Sequence, residues 1–113
     1  MELSIIFKTL GDDIRIRIIG LLLERELCVC DIESILKISQ ANVSRHLAKM
    51  KIAGILSSRK NAQWVYYSIS KKFIELHPEI ITALKAEVKK LKNYKSDIKA
   101  MAALNKKKTG DGC

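Results

Sequence analysis

Two closely spaced cysteines are the residues of this sequence best suited to chemistry. Cys28 and Cys30 are separated only by Val29, at a point where the pattern predicts the start of a helix. Because nothing in the sequence indicates export, we expect reduced thiols, which favours a metal site or a redox pair over a structural disulfide. The alternative interpretation is two half-buried cysteines that act as small apolar residues.

Thiolates select soft, thiophilic ions, and the thiols must lose their protons to bind them. The N-terminus of a helix favours the thiolate form, although the nearby Asp31 and Glu33 oppose it. On a regular helix, side chains at positions i and i+2 point about 200° apart, so we expect ion binding to unwind this turn. Cys113 in the tail is a candidate third ligand. The alternative is that Cys113 is an exposed terminal thiol.

Length, composition and charge indicate a small domain with a polyanionic partner. The 113 residues carry a formal net charge of +9, and 48% are apolar. We assign one domain to residues 1–104, followed by a flexible basic tail at 105–113. The positive charge favours nucleic acid as the partner, ahead of an anionic membrane surface. With no basic, apolar leader and no run of ~20 apolar residues, we expect a cytoplasmic protein without membrane contact.

The apolar spacing predicts four helices in the first half of the chain, at about 3–10, 14–24, 29–36 and 40–53. The alternation at residues 14–18 would also suit a strand, but the helical period continues beyond it and Asp12 or Asp13 can cap a helix. Ser39 can cap the fourth helix. Since only Lys37 and Ile38 separate the third helix from the Ser39 cap of the fourth, the pair forms a helix-turn-helix, whose second helix normally enters the DNA major groove.

A β-hairpin and a long helix complete the predicted fold. Ile55–Arg59 and Trp64–Ile69 alternate as strands around a polar turn, in which Asn61 can adopt positive φ, and they form the wing. One helix is predicted from Pro78 to Leu104 with a nearly heptad apolar stripe. That stripe either packs on its own domain or, as we favour, forms a homodimer interface with the first helix. The fold class is mainly α with a β-hairpin, a winged helix-turn-helix.

Polar side chains around the fourth helix and the wing are the candidate DNA contacts. Arg, Asn and Gln can read base edges, whereas Ser and Lys more often hold phosphates. His46 lies at the edge of the apolar stripe and could equally pack inside the domain. The candidates are Gln40, Asn42, Ser44, Arg45, His46 and Lys49 on the helix, and Arg59, Lys60 and Gln63 on the wing.

Five segments, in order, resemble the ArsR/SmtB family of winged-helix metal-responsive repressors. They are Leu10–Asp12, Glu26–Ile32, Ser39–Leu47, Ala53–Leu56 and Trp64–Ile69. The Glu26–Ile32 segment resembles the box used by arsenite and antimonite sensors and by cadmium and lead sensors. The sequence departs from the arsenite box at Glu33, where another cysteine often stands, and the last helix lacks the His and Asp pairs of zinc sensors. The resemblance also places Gln40, Ser44 and Arg45 at the DNA groove.

The resemblance implies a homodimeric repressor that binds double-stranded operator DNA. Arsenite or antimonite would release it by binding Cys28 and Cys30, with no organic cofactor. A cadmium- or lead-responsive repressor and a thiol-redox-responsive repressor are the alternatives, and a DNA-binding protein indifferent to such ions is another. An enzyme is not expected, because the two histidines lie far from the cysteines in sequence and no catalytic motif is present.

Overall fold

The computed structural model describes residues 2–107, with side chains to residue 104, so Cys113 lies outside the described residues. Seven helices and three strands follow one another along this part of the chain. They are α1 (Leu3–Leu10), α2 (Asp13–Leu22), β1 (Leu27–Cys28), α3 (Val29–Leu36), α4 (Gln40–Ile52), β2 (Leu56–Asn61), β3 (Trp64–Ile69), α5 (Lys71–Leu76), α6 (Pro78–Val88) and α7 (Tyr94–Lys107). No helix within this range is long and apolar enough to cross a membrane.

The predicted helix-turn-helix is confirmed. The Ser39 hydroxyl accepts a hydrogen bond from the Asn42 N–H at 3.2 Å and so caps α4. Lys37 forms the turn between α3 and α4 with a left-handed φ of 58°. Val43, Leu47 and Met50 are fully buried, as the apolar stripe of the fourth helix predicted. This stripe packs α4 on the core and leaves its opposite face to solvent.

The wing is an antiparallel hairpin to which a third, short strand is added. The strand order is β1-β3-β2, and β1 pairs Leu27 with Tyr67 and Cys28 with Tyr66. The strand β1 was not predicted, and β2 runs two residues further than expected. The positive φ of 57° falls on Ala62, not on Asn61, because Asn61 pairs with Trp64 and leaves only Ala62 and Gln63 as the loop.

The prediction of one long helix from Pro78 to Leu104 is wrong, because the helix is interrupted between α6 and α7. A Cβ on Gly20 of α2 would lie 3.5 Å from the Val88 Cβ, and Arg17 of α2 forms an ion pair with Asp97 of α7. Gly20 and Arg17 are about 4.5 Å apart along α2, whereas Val88 and Asp97 would be about 13.5 Å apart along one straight helix. The break allows both halves to pack on α2. The helix α5, capped by the Ser70 hydroxyl, was not predicted either.

Candidate metal centre and nucleic-acid interface

Cys28 is placed where a strand becomes a helix. It is the last residue of β1 and the N-cap of α3, with the extended backbone angles φ −85° and ψ 167°. The Cys28 side chain is buried, and its sulfur lies 3.4 Å from the sulfur of Cys30. The expectation that these sulfurs point apart until the turn unwinds is therefore wrong. It assumed that both residues have helical angles, whereas an N-cap residue does not.

Asp31 completes a compact group with the two cysteines. It is 3% exposed, and one of its carboxylate oxygens accepts a hydrogen bond from the Cys28 N–H at 3.3 Å. A carboxylate oxygen of Asp31 and the two sulfurs all lie within 4.8 Å of one another. Asp31 was considered in the sequence only for its charge. Its position three residues after the N-cap, as in a capping box, is the signal that could have placed it here.

A cavity of about 170 Å³ connects the cysteines to both predicted DNA-binding elements. Gln40, the first residue of α4, lines one side. Gln63, in the wing loop, lines another. The full lining is Cys28, Val29, Cys30, Gln40, Gln63, Trp64 and Val65. The cavity therefore brings the candidate metal ligands directly to two of the predicted DNA contacts.

The predicted DNA contacts on α4 lie on its solvent-facing side, with one exception. Gln40, Ser44, Arg45 and Lys49 are exposed. Asn42 is half-buried, and its side-chain oxygen accepts a hydrogen bond from the Arg45 guanidinium at 2.7 Å. This bond fixes the relative orientation of two side chains that can read base edges. The surface available to a groove is therefore polar and positively charged.

His46 is the exception, since it faces the start of α2. Its Nδ1 atom lies 3.2 Å from the Arg15 guanidinium and 4.0 Å from the carboxylate of Asp12. Burial lowers the pKa of His46, and the neighbouring positive charge of Arg15 lowers it further, although Asp12 opposes the shift. The pKa of Asp12 is also lowered, chiefly by the hydrogen bond from the Arg15 N–H. The structure favours the alternative in which His46 packs within the domain.

On the wing, Arg59, Lys60 and Gln63 are all exposed, and Arg59 also contacts two neighbouring side chains. The Arg59 guanidinium donates two hydrogen bonds to the carboxylate of Glu26, at 2.9 and 2.7 Å. It also lies 4.7 Å from the centre of the Tyr66 ring. Glu26 was not predicted as a functional residue, and the sequence carries no local signal for it, because the pairing depends on the position of β1 beside the hairpin.

Together, an α3–α4 helix-turn-helix, a β-hairpin wing and an exposed basic recognition face define a winged-helix regulatory protein. A family model described as bacterial regulatory protein, arsR family, matches residues 12–58. The chain belongs to this ArsR family of regulatory proteins, which are not enzymes.

Three relatives illustrate the similarity. The arsenic resistance transcriptional regulator ArsR1 of Pseudomonas putida is 48% identical over 77 residues, which are 67% of this chain and 55% of ArsR1. A cadmium resistance regulatory protein CadC homolog of Staphylococcus aureus is 42% identical over 76 residues, covering 66% and 63%. The structure of HlyU from Vibrio cholerae superimposes with a TM-score of 0.63 at 30% identity, covering 77% of this chain and all of HlyU. The chain thus spans only 55% to 63% of the first two relatives.

Proposed function

We propose that this protein is a metalloid-responsive transcriptional repressor. It binds operator DNA as a homodimer and leaves it when arsenite or antimonite binds the thiolates of Cys28 and Cys30. The observation that carries the proposal is the pair of sulfurs 3.4 Å apart in a cavity shared with Gln40 and Gln63. The names of relatives that regulate arsenic resistance support the choice of ion.

With both cysteines reduced and deprotonated, the residues present fit a thiophilic ion. Their sulfur separation of 3.4 Å is less than twice a typical metal–thiolate bond of about 2.3 Å, so one ion can bond to both. Soft sulfur donors select such ions over hard cations. Asp31 is the nearest third donor among the described residues. Cys113 remains the sulfur candidate from the sequence.

DNA release follows from the position of the cavity. An ion in contact with Cys28 and Cys30 would lie in the cavity that the side chains of Gln40 and Gln63 also line, where it can change their positions. The α4 N-terminus and the wing loop must then differ between the ion-bound and DNA-bound states. Such coupling is reciprocal, so DNA must weaken ion binding by the same factor.

The homodimer is proposed from the exposed side of α1. Ile6 and Leu10 pack into the core, whereas Leu3 and Phe7 are 54% and 55% exposed. Part of the apolar stripe on α7 packs against the core of its own domain, since Met101 is buried. Two copies that join their α1 and α7 helices would cover the remaining apolar surface, and a symmetric dimer matches the two-fold symmetry of an operator.

The proposal is tested by titrating the protein–DNA complex with candidate ions. A duplex selected for binding from a random pool is the probe, and fluorescence anisotropy measures the affinity. Arsenite and antimonite should weaken binding of the wild type by about 5- to 150-fold, the usual range of allosteric coupling. The Cys28→Ser/Cys30→Ser variant should bind the same DNA without responding, because serine is a good N-cap and keeps the start of α3.

The remaining arms of the experiment separate the alternatives. A Cys113→Ser variant with a normal response would leave Asp31 as the third donor. A response to cadmium or lead alone would favour the second candidate, which the similarity to a cadmium resistance regulator supports. Release by a peroxide without any ion would favour redox sensing. A full arsenite response in the double-serine variant would contradict the assignment of the site.

A further inference from the structure

The carboxylate of Glu26 forms an ion pair with Arg59 of the wing. Glu26 immediately precedes β1, and Arg59 lies on β2. The two side chains share a two-pronged pair of hydrogen bonds of 2.9 and 2.7 Å. The Tyr66 ring packs against the guanidinium from β3, with a cation–π distance of 4.7 Å. Arg59 is therefore oriented by one neighbour and neutralised by another.

A DNA phosphate would need the same N–H donors. Guanidinium presents a planar fork that binds either a carboxylate or a phosphate through two parallel hydrogen bonds. The side chains of Arg59 and Glu26 are 52% and 32% exposed, so solvent weakens their pair and a phosphate can reach it. While Glu26 is paired with Arg59, the charges of these two side chains cancel.

We propose that Glu26 is a positioning residue that lowers the affinity of the wing for DNA by competing with phosphate for Arg59. This inference rests on the DNA binding proposed above. It adds a residue outside the recognition helix that sets how many phosphates the protein neutralises.

The position of Glu26 also connects this competition to the thiol site. Arg59 pairs with Tyr66 across the hairpin, and Tyr66 pairs with Cys28 on its other side. Arg59, Tyr66 and Cys28 therefore form one row across the sheet. Glu26 lies two residues before Cys28, which is at one end of this row, and its carboxylate forms an ion pair with Arg59 at the other end.

The salt dependence of DNA binding tests the proposal. For B-DNA the logarithm of the affinity falls with the logarithm of the salt concentration with a slope of about −0.9 per neutralised phosphate. A Glu26→Gln variant removes the competing charge and should steepen the slope by about 0.9. Between 50 and 200 mM salt this adds about a 3.5-fold loss of affinity to that of the wild type. The probe is a random-sequence duplex, since phosphate contacts do not depend on sequence.

Two controls isolate the local effect from the change in net charge. Glu24→Gln makes the same charge change at an exposed position two residues away and should leave the slope unchanged. Arg59→Gln alone should change it little, because Glu26 already compensates that charge. The double variant Glu26→Gln/Arg59→Gln should return to the wild-type slope.

The outcomes also separate this inference from the proposed function. If the wild type fails to bind any duplex at low salt, the DNA-binding proposal itself is wrong. If the wild type binds but Glu26→Gln and Glu24→Gln have the same slope, only the role of Glu26 is refuted. If Arg59→Gln alone made the salt slope shallower by about 0.9, the role of Glu26 would also be refuted, because Arg59 of the wild type would then already hold a phosphate. Circular dichroism confirms the fold of each variant.

Discussion

The ion pair between α2 and α7 offers the clearest test of what holds the domain together. The Arg17 guanidinium donates to both carboxylate oxygens of Asp97, at 3.0 and 2.8 Å. Asp97 raises the pKa of Arg17, chiefly through this hydrogen bond. An Asp97→Asn substitution keeps the size of the side chain but leaves the guanidinium without its counter-charge. We expect this variant to unfold more easily.

The size of the effect follows from burial. Removing one partner of a fully buried pair costs about 3–5 kcal/mol. The side chains of Arg17 and Asp97 are 19% and 8% exposed, so water can partly solvate the remaining charge, and we expect about 2–3 kcal/mol. For 113 residues the unfolding entropy is about 0.24 kcal/mol/K. The melting temperature should therefore fall by about 8–13 °C.

Thermal unfolding followed by circular dichroism, at one fixed protein concentration, measures this shift. Glu87→Gln is the matched control, because its ion pair with Lys90 is 66% and 71% exposed and should contribute less than about 0.5 kcal/mol. The double substitution Arg17→Met/Asp97→Leu should recover most of the loss, since it leaves no unpaired charge. A melting temperature for Asp97→Asn within about 2 °C of the wild type would refute the reasoning.

Two further predictions concern stability. Gly20→Ala should raise the free energy of unfolding, measured in urea, by about 1 kcal/mol, because it replaces a glycine inside a helix. The added methyl group would meet Val88 atoms at 3.5 to 3.9 Å, which is an ordinary contact distance. A loss of stability would show that the packing of α2 on α6 cannot accept this methyl group. Acidification below about pH 6.5 should destabilise the wild type, because the lowered pKa of His46 means that the unfolded chain binds more protons. His46→Gln should flatten this dependence below about pH 6.5, and an unchanged profile would exclude His46 as its source.

Much of the fold could be predicted because local patterns determine it. Asp12 and Ser39 act as the expected helix caps, and the Val43-Leu47-Met50 stripe is buried as its spacing indicated. These features depend on residues two to four positions apart, so periodicity and side-chain chemistry suffice to place them. The helix-turn-helix was therefore predicted within one or two residues.

The features that were missed depend on contacts distant in sequence. The two-residue strand β1 is too short for any period and exists through its pairing with Tyr66 and Tyr67. The break before α7 reflects the positions of Gly20 and Arg17 on α2. The candidate site depends on β1, so its cysteines could be recognised in the sequence, but their geometry and the contacts of Asp31 and Glu26 could not.

The extended backbone of Cys28 changes how the proposed switch must work. If ion binding had to unwind the first turn of α3, the distortion itself would carry the signal to α4. With the sulfurs already 3.4 Å apart, binding need not alter that turn. A ligand shifts an equilibrium only by its difference in affinity for the two states. In the proposed switch we therefore expect that difference to arise where the cavity meets Gln40 and Gln63, so that DNA and the ion would compete for the positions of these two side chains.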